Sequence, residues 1–201
     1  MFSDVELKIK KKNQLLFSRD SLCLQDLIGL IQIQHLRTLV MWALDCAEVT
    51  LSRFEEKYPD ETRPGICLVR CEEWARGKIK MPEARQAILG AHAAAKEIDD
   101  QVYSALCRAI GHAGATVHVE SHAMGLPIYE LTAIVRKHGP DHFAEPVKEK
   151  IRFYEQRLHY WQETTDTLEL DWAQFLLDDS KPNKEKLVGE KKKANIYSPG
   201  T

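Results

Sequence analysis

The sequence has no long run of apolar residues and no excess of charge of one sign. No segment approaches the roughly 20 consecutive apolar residues that a transmembrane helix needs. The formal net charge is −2, which gives no general electrostatic attraction to nucleic acid or to an anionic membrane. The N-terminal residues also lack the apolar segment of a signal peptide. We therefore expect a cytoplasmic protein that binds neither nucleic acid nor membrane.

Cysteine is scarce, with five residues scattered along the chain. An odd number of thiols without an export signal is typical of a reduced, intracellular protein. Cys67 and Cys71 are four positions apart and could share one helical face, but a single pair of cysteines is a weak indication of a metal site. We expect both to be small buried apolar residues.

The short motifs of common catalytic sites are absent as well. The sequence contains no GxSxG nucleophile elbow, no P-loop, no dinucleotide-binding fingerprint and no HExxH zinc motif. We therefore predict a protein that is not an enzyme and that has no cofactor.

Helical periodicity is what the sequence does contain. Apolar residues recur every three or four positions in several segments, and no segment shows the two-residue alternation of a β-strand. The pattern predicts an all-α fold, with a single compact bundle of about six or seven helices within residues 21–177. An exposed N-terminal arm (1–20) and a flexible, basic C-terminal tail (178–201) are expected to flank it. The predicted helices cover 24–57 with a break near Gly29 or Gln34, 66–75, 81–98, 99–125 with Gly125 as its C-terminal cap, 127–137, 143–163 and 168–177.

The alanine-rich segment 91–125 is predicted to form the centre of the bundle. Gly111 and Gly114 lie within a single turn of its second helix. A glycine inside a helix costs about 1 kcal/mol relative to alanine, so two of them indicate a compensating gain. We expect another helix to approach the backbone closely at these glycines, with Ala91 and Ala95 on the preceding helix as the partner surface.

Four of the eight histidines lie in the same segment. His118 and His122 are four positions apart, a spacing that can chelate a metal on one helical face, but they lack the adjacent glutamate of an HExxH motif. The preferred interpretation is that each histidine is a hydrogen-bonded residue of the core or its boundary. In the alternative, the histidines line a polar pocket for a metal or another ligand. The candidate polar or ligand-binding residues are His92, Arg108, His112, Thr116, His118 and His122.

Five segments resemble, in their order and spacing, one protein family. They are 42–48 (WALDCAE), 73–77 (EWARG), 83–85 (EAR), 91–95 (AHAAA) and 111–123 (GHAGATVHVESHA). In these residues the chain is similar to the small helical "putative immunity proteins" of the immunity protein five-like family, over about residues 34–137. The resemblance implies a non-catalytic cytosolic protein that binds and neutralises the toxin domain of a bacterial polymorphic toxin system.

Two other functions stay open at this point. A helical metal- or ligand-binding protein or enzyme could use the histidines as ligands or as a general base. A homo-oligomer could form through the apolar stripe of the amphipathic segment 143–163. Packing of this stripe within the bundle is the preferred interpretation.

Overall fold

A computed structural model describes residues 1–197, which form nine α-helices and no β-strand. The predicted all-α fold is therefore confirmed, with more helices than the six or seven expected. Within the same residues no helix has both the length and the apolar character needed to cross a bilayer. The helices are α1 (Ser3–Lys10), α2 (Gln25–Gln32), α3 (Leu36–Glu55), α4 (Arg63–Ala75), α5 (Met81–Glu97), α6 (Gln101–Ala115), α7 (Gly125–His138), α8 (Ala144–Thr164) and α9 (Lys184–Tyr197).

Local chemistry explains several helix ends. The carboxylate of Asp100 accepts hydrogen bonds from the N–H groups of Val102 and Tyr103, at 2.8 and 3.4 Å, and so caps the start of α6. Gly77 and Gly139 follow the ends of α4 and α7 with φ angles of +71° and +77°. Glycine adopts this left-handed conformation without the steric penalty that a Cβ brings, and it therefore stops both helices.

The expected break in segment 24–57 lies close to Gln34 rather than at Gly29. Helix α2 ends at Gln32 and α3 begins at Leu36. The helix predicted over 168–177 is wrong, because those residues contain only one short 3₁₀ turn.

Helix α6 is the central helix and contacts α3, α4, α5 and α7. Its residues Cys107, Ile110 and Ala113 have no exposed surface. The distance between two packed helices depends on the size of the side chains at their contact. The buried face of α6 consists mostly of alanine and glycine. Four neighbours can therefore approach its axis.

Gly111 and Gly114 face different neighbours of α6. A Cβ on Gly111 would lie 2.8 Å from the ring of His92 on α5. A Cβ on Gly114 would lie 2.8 Å from Cys71 Sγ and 2.9 Å from Cys67 Sγ, both on α4. Interiors packed this densely leave no space for an added methyl group, so the glycines hold α6 against two helices at once.

Helix α5 also approaches α6 through small residues. Ala91 and Ala95 are buried. The carbonyl of Ala91 accepts a hydrogen bond from Cys107 Sγ at 3.1 Å, and the carbonyl of Ala95 accepts one from Ser104 Oγ at 2.5 Å. Side chains of α6 therefore reach the backbone of α5 directly.

The helix predicted over 99–125 is wrong in its C-terminal part. Helix α6 ends at Ala115, and the N–H groups of residues 116–118 bond to carbonyls three positions back, as in a tightened last turn. Val119 is extended, and the 3₁₀ turn Glu120–His122 follows it. Gly125 begins α7 instead of ending α6. A Cβ at Gly125 would overlap the imidazole of His112, so glycine is needed where the two helices meet.

The apolar stripe of α8 packs within the chain. Val147, Tyr154 and Leu158 have no exposed surface. Trp42 on α3 donates a hydrogen bond from Nε1 to the carbonyl of Tyr154 at 2.9 Å. Because the stripe is part of the core, it is not available for contact with a second copy of the chain.

The expectation of an exposed arm at 1–20 is wrong. Residues 3–10 form α1, and Val5 and Phe17 are buried in the core. The backbone N–H of Leu16 donates to Thr132 Oγ1 on α7 at 3.2 Å. Apolar residues on both sides of the basic run anchor this segment, while most of the lysines between them stay exposed.

The tail expected to be flexible at 178–201 contains helix α9. Glu185 is 1% exposed, and its carboxylate lies 2.6 Å from Nε of Arg19. Asn183 donates two hydrogen bonds from Nδ2 to backbone carbonyls at the end of α2. The prediction is therefore wrong for the described part of this segment. The last four residues lie outside the described part of the chain.

A buried ion pair joins α7 to α8. Glu130 is fully buried, and its Oε1 lies 2.8 Å from Nζ of Lys150, which is also buried. Its Oε2 accepts hydrogen bonds from the hydroxyls of Thr50 at 2.8 Å and Tyr154 at 2.5 Å. A carboxylate tolerates burial when its oxygens have charged or hydrogen-bonding partners. These four residues therefore fix the positions of α3, α7 and α8 relative to one another.

The variant Gly114→Ala should lower the free energy of unfolding by about 1–3 kcal/mol, because the added methyl group overpacks the contact between α6 and the two thiols of α4. Urea denaturation followed by circular dichroism measures the change. The matched control is Gly90→Ala on α5, where an added Cβ meets nothing within 4 Å. The control should gain up to about 1 kcal/mol through helix propensity. Equal stability of Gly114→Ala and the wild type would contradict the close contact.

The variant Lys150→Met should lower the free energy of unfolding by about 3–5 kcal/mol, because it removes the buried countercharge of Glu130. The cation that stays near this carboxylate is Arg53, which is more than half exposed and whose Nη1 lies 3.7 Å from Oε1. The double variant Lys150→Met/Glu130→Gln removes both charges and retains an acceptor for the two hydroxyls. Its loss should be smaller than that of Lys150→Met alone. A double variant less stable than the single one would show that the ion pair does not account for the effect.

Candidate functional site

Three histidine rings meet where α5, α6 and the turn before α7 come together. The ring centroids of His92 and His112 are 5.2 Å apart, and those of His112 and His122 are 5.8 Å apart. Tyr129 on α7 stacks on His112, with centroids 5.0 Å apart and an interplanar angle of 19°. The three histidines, called the histidine cluster below, are partly buried.

Two glycines make room for the histidine cluster. Gly111 lets the ring of His92 lie against the backbone of α6, and Gly125 lets the ring of His112 lie against the first turn of α7. The sequence signal for this arrangement is the pair of glycines inside an alanine-rich helix, which predicts a close approach but does not reveal what approaches.

His118 lies outside the cluster, and the predicted face shared with His122 is wrong. His118 is exposed and stacks on Trp74 of α4, with ring centroids 6.1 Å apart. The pair does not share a helical face because α6 ends before residue 116. Within residues 1–197, no group of three or more His, Cys, Asp or Glu side chains is placed to hold a metal ion.

The remaining candidate residues differ in their surroundings. Thr116 is buried, and its Oγ1 donates to the backbone carbonyl of His112 at 3.1 Å, so it serves the end of α6. Glu120, in the same loop, is buried and accepts a hydrogen bond from the backbone N–H of Lys184 at 3.2 Å. Arg108 is half-buried beside the cluster, and its guanidinium makes no hydrogen bond or ion pair within residues 1–197.

Burial shifts the titration of the cluster. The pKa of His112 is lowered to about 4, first by burial and then by the charges of His92 and other neighbours. The pKa values of His92 and His122 are also lowered, chiefly by burial, with Arg108 adding to the effect on His92. The cluster is therefore uncharged at neutral pH, and its rings act as aromatic packing surfaces.

An uncharged cluster of this kind is poorly suited to proton transfer. A general base is most effective when its pKa lies near the working pH, and the pKa of His112 lies well below neutrality. Its Nδ1 is buried without a hydrogen-bond partner, so no second residue orients the ring as a catalytic dyad would. The geometry supports a packing role for these rings.

The thiols of Cys67 and Cys71 lie against Gly114, where α4 meets α6. Both side chains are fully buried. The pKa of Cys67 is raised, first by its hydrogen bond with Cys71 and then by burial. A raised pKa keeps the Cys67 thiol protonated and weakly nucleophilic, so its contribution is packing.

A cleft of about 620 Å³ opens between the N-terminal segment and helices α6 and α7. Lys12, Arg108, Tyr129 and Arg136 line it, and we call it the basic cleft. Of these four residues, only Arg108 was a candidate from the sequence. The walls of the cleft come from residues 9–16, 101–108 and 129–140. No local motif marks the cleft in the sequence, because these three segments meet only after folding.

One family comparison covers most of these helices. A family model described as "Imm-5 like putative immunity protein" matches residues 29–157, more than half of the chain. The chain therefore belongs to this family. The match extends from α2 into α8 and includes the whole histidine cluster. No curated protein and no solved structure matches the chain.

The free energy of unfolding should fall as the pH drops from about 6.5 toward 4. The pKa of His112 is near 4 in the folded protein and near the ordinary 6.5 in the unfolded chain, so the unfolded state binds more protons in this range. The stabilisation is complete above pH 6.5 and is lost as the pH falls through the folded pKa. One pKa unit corresponds to about 1.4 kcal/mol, so His112 contributes roughly 2–3 kcal/mol to this decline.

Urea denaturation at a series of pH values measures this slope for the wild type and for His112→Gln. The variant should show a shallower decline, because its side chain takes up no proton. The matched control is His142→Gln at an exposed position outside the cluster, which should retain the slope of the wild type. A slope in His112→Gln as steep as that of the wild type would contradict the burial of this imidazole.

Proposed function

We propose that the chain is an immunity protein that binds the toxin domain of a cognate bacterial toxin in the cytoplasm and blocks it without turnover. The observation that carries the proposal is the family match over residues 29–157. This stretch contains α3 to α7 and the buried contacts that hold them together.

The uncharged histidine cluster supports a non-catalytic role. Its rings contact one another and Tyr129, and Nδ1 of His112 has no hydrogen-bond partner that would orient the ring. Such an arrangement stabilises the centre of a helical bundle. Inhibition by this chain is therefore expected to come from binding and to require one molecule of it for each toxin molecule.

The construction of the core supports a rigid binding surface. Close contacts at α6 and the buried ion pair between Glu130 and Lys150 hold the helices in one arrangement. Proteins that are organised before binding lose less conformational entropy in the complex. A stable complex of this kind would bury on the order of 1,200–2,000 Å² and would depend on a few anchor residues.

A titration of toxin activity tests the proposal. The purified chain is added to a fixed amount of the toxin domain encoded beside it, and residual toxin activity is measured. Activity should fall linearly and end at equal molar amounts, because each toxin molecule is occupied by one molecule of the chain. Size-exclusion chromatography with light scattering should show the corresponding complex.

Two outcomes would contradict the proposal. If much less than one equivalent inactivates the toxin, the chain acts as an enzyme. If the toxin stays active and no complex forms at micromolar concentrations, the chain is not its immunity protein. The destabilised variant Lys150→Met serves as a control that loses protection in proportion to its unfolded fraction.

A further inference from the structure

The basic cleft carries positive charge in a protein whose net charge is negative. Lys12, Arg108 and Arg136 line it, and none of the fifteen lining residues in the described part of the chain is acidic. Three acidic residues are adjacent in sequence to lining residues but are not among them. The carboxylate of Asp100 caps α6, that of Glu130 pairs with Lys150, and Asp141 is exposed. The charge in this cleft is therefore not balanced by its own walls.

The three cations are held in different ways. Arg136 donates from its guanidinium to the backbone carbonyls of Gln14 at 2.7 Å and Gln101 at 2.9 Å, so it bridges the two sides of the cleft. These partners are neutral and leave its charge uncompensated. Lys12 has φ of +53° and is the one non-glycine residue with positive φ in residues 1–197. This left-handed backbone is uncommon for a lysine and directs the chain sharply after α1.

Arg108 is the cation with the least compensation. It is half-buried on α6, and its guanidinium makes no hydrogen bond or ion pair in the described part of the chain. Its charge acts on the adjacent cluster, since it helps to lower the pKa values of His92 and His112. Partly buried charges usually have a partner, because removing them from water is costly. An anionic group from outside the chain would supply one.

We propose that the basic cleft receives an acidic segment of the toxin, whose carboxylates pair with Arg108, Arg136 and Lys12. Because the partner is the toxin of the proposed function, this inference rests on that function. Arginine and tyrosine are enriched among the anchor residues of protein interfaces, and Arg108, Arg136 and Tyr129 lie together here. Arginine also binds carboxylates through two parallel hydrogen bonds.

The shape of the cleft fits a peptide segment better than a free ion. Apolar side chains of Ile9, Leu15 and Pro140, which keep some exposed surface, form part of its walls beside the cations. A small inorganic anion would leave these side chains uncovered. A segment with acidic and apolar residues would cover both kinds of surface.

Charge reversal in the cleft tests the assignment. The variant Lys12→Glu/Arg108→Glu should weaken the Kd for the purified toxin domain about a hundredfold or more, because two attractive contacts become repulsive. Isothermal titration calorimetry measures the affinity. The matched control, Lys78→Glu/Arg85→Glu, makes the same change of net charge at exposed positions that do not line the cleft, and it should bind like the wild type.

Urea denaturation verifies that each variant is folded. If charge reversal at Arg108 unfolds the protein, Lys12→Gln/Arg108→Gln replaces it and should weaken binding about tenfold. In the reciprocal test, acidic residues of the toxin are changed to lysine one at a time. One such change should restore binding to the charge-reversed variant and weaken binding to the wild type.

Each remaining outcome decides a separate question. If the wild type and the cleft variant bind the toxin equally, the cleft is not the docking site and the proposed function stands. If the cleft variant and the control lose affinity equally, net charge matters and the cleft does not. If inorganic phosphate binds the free chain without displacing the toxin, the cleft is a small-anion site. If the wild type does not bind the toxin, the proposed function fails and this inference fails with it.

Discussion

The structure depends on the absence of a Cβ at three contacts of one helix. Gly111, Gly114 and Gly125 let α6 lie directly against α5, α4 and α7. A methyl group at any of them would push a neighbouring helix outward or displace a ring or a thiol. The histidine cluster exists because two of these contacts admit imidazoles, and one wall of the basic cleft exists because α6 and α7 pack so closely. The core and the candidate sites therefore share one constraint.

Polar groups inside this molecule are accommodated in two ways. Glu130 is fully buried and remains compatible with the core because Lys150 and two hydroxyls surround its carboxylate. The three histidines of the cluster have no countercharge. Burial lowers their pKa values, so they pack between the helices as neutral rings. The first solution fixes three helices by charge, and the second joins α5, α6 and α7 by ring packing.

Family membership and tertiary structure supply different parts of the functional account. The family match shows that the chain belongs to the Imm-5 like family, and it covers α3 to α7. The structure adds a cleft in which Arg108 and Arg136 come from the matched part and Lys12 from the segment before it. The N-terminal and C-terminal segments outside the match are also joined, because Arg19 pairs with the buried carboxylate of Glu185. Residues outside the family match thus contribute to the surface as well as to stability.

The sequence by itself determined the all-α class, most helix positions and the close approach at Gly111 and Gly114, because helical periodicity and the cost of interior glycine are local properties. Polar composition led to wrong predictions at both ends of the chain. A few buried apolar residues anchor the N-terminal segment, and the buried carboxylate of Glu185 anchors the C-terminal one. Only the tertiary structure decided that the ring of His122 packs against His112 while the ring of His118 stacks on Trp74 of α4. It alone assembled the basic cleft, because the direction of a chain after a helix ends depends on contacts with residues distant in sequence.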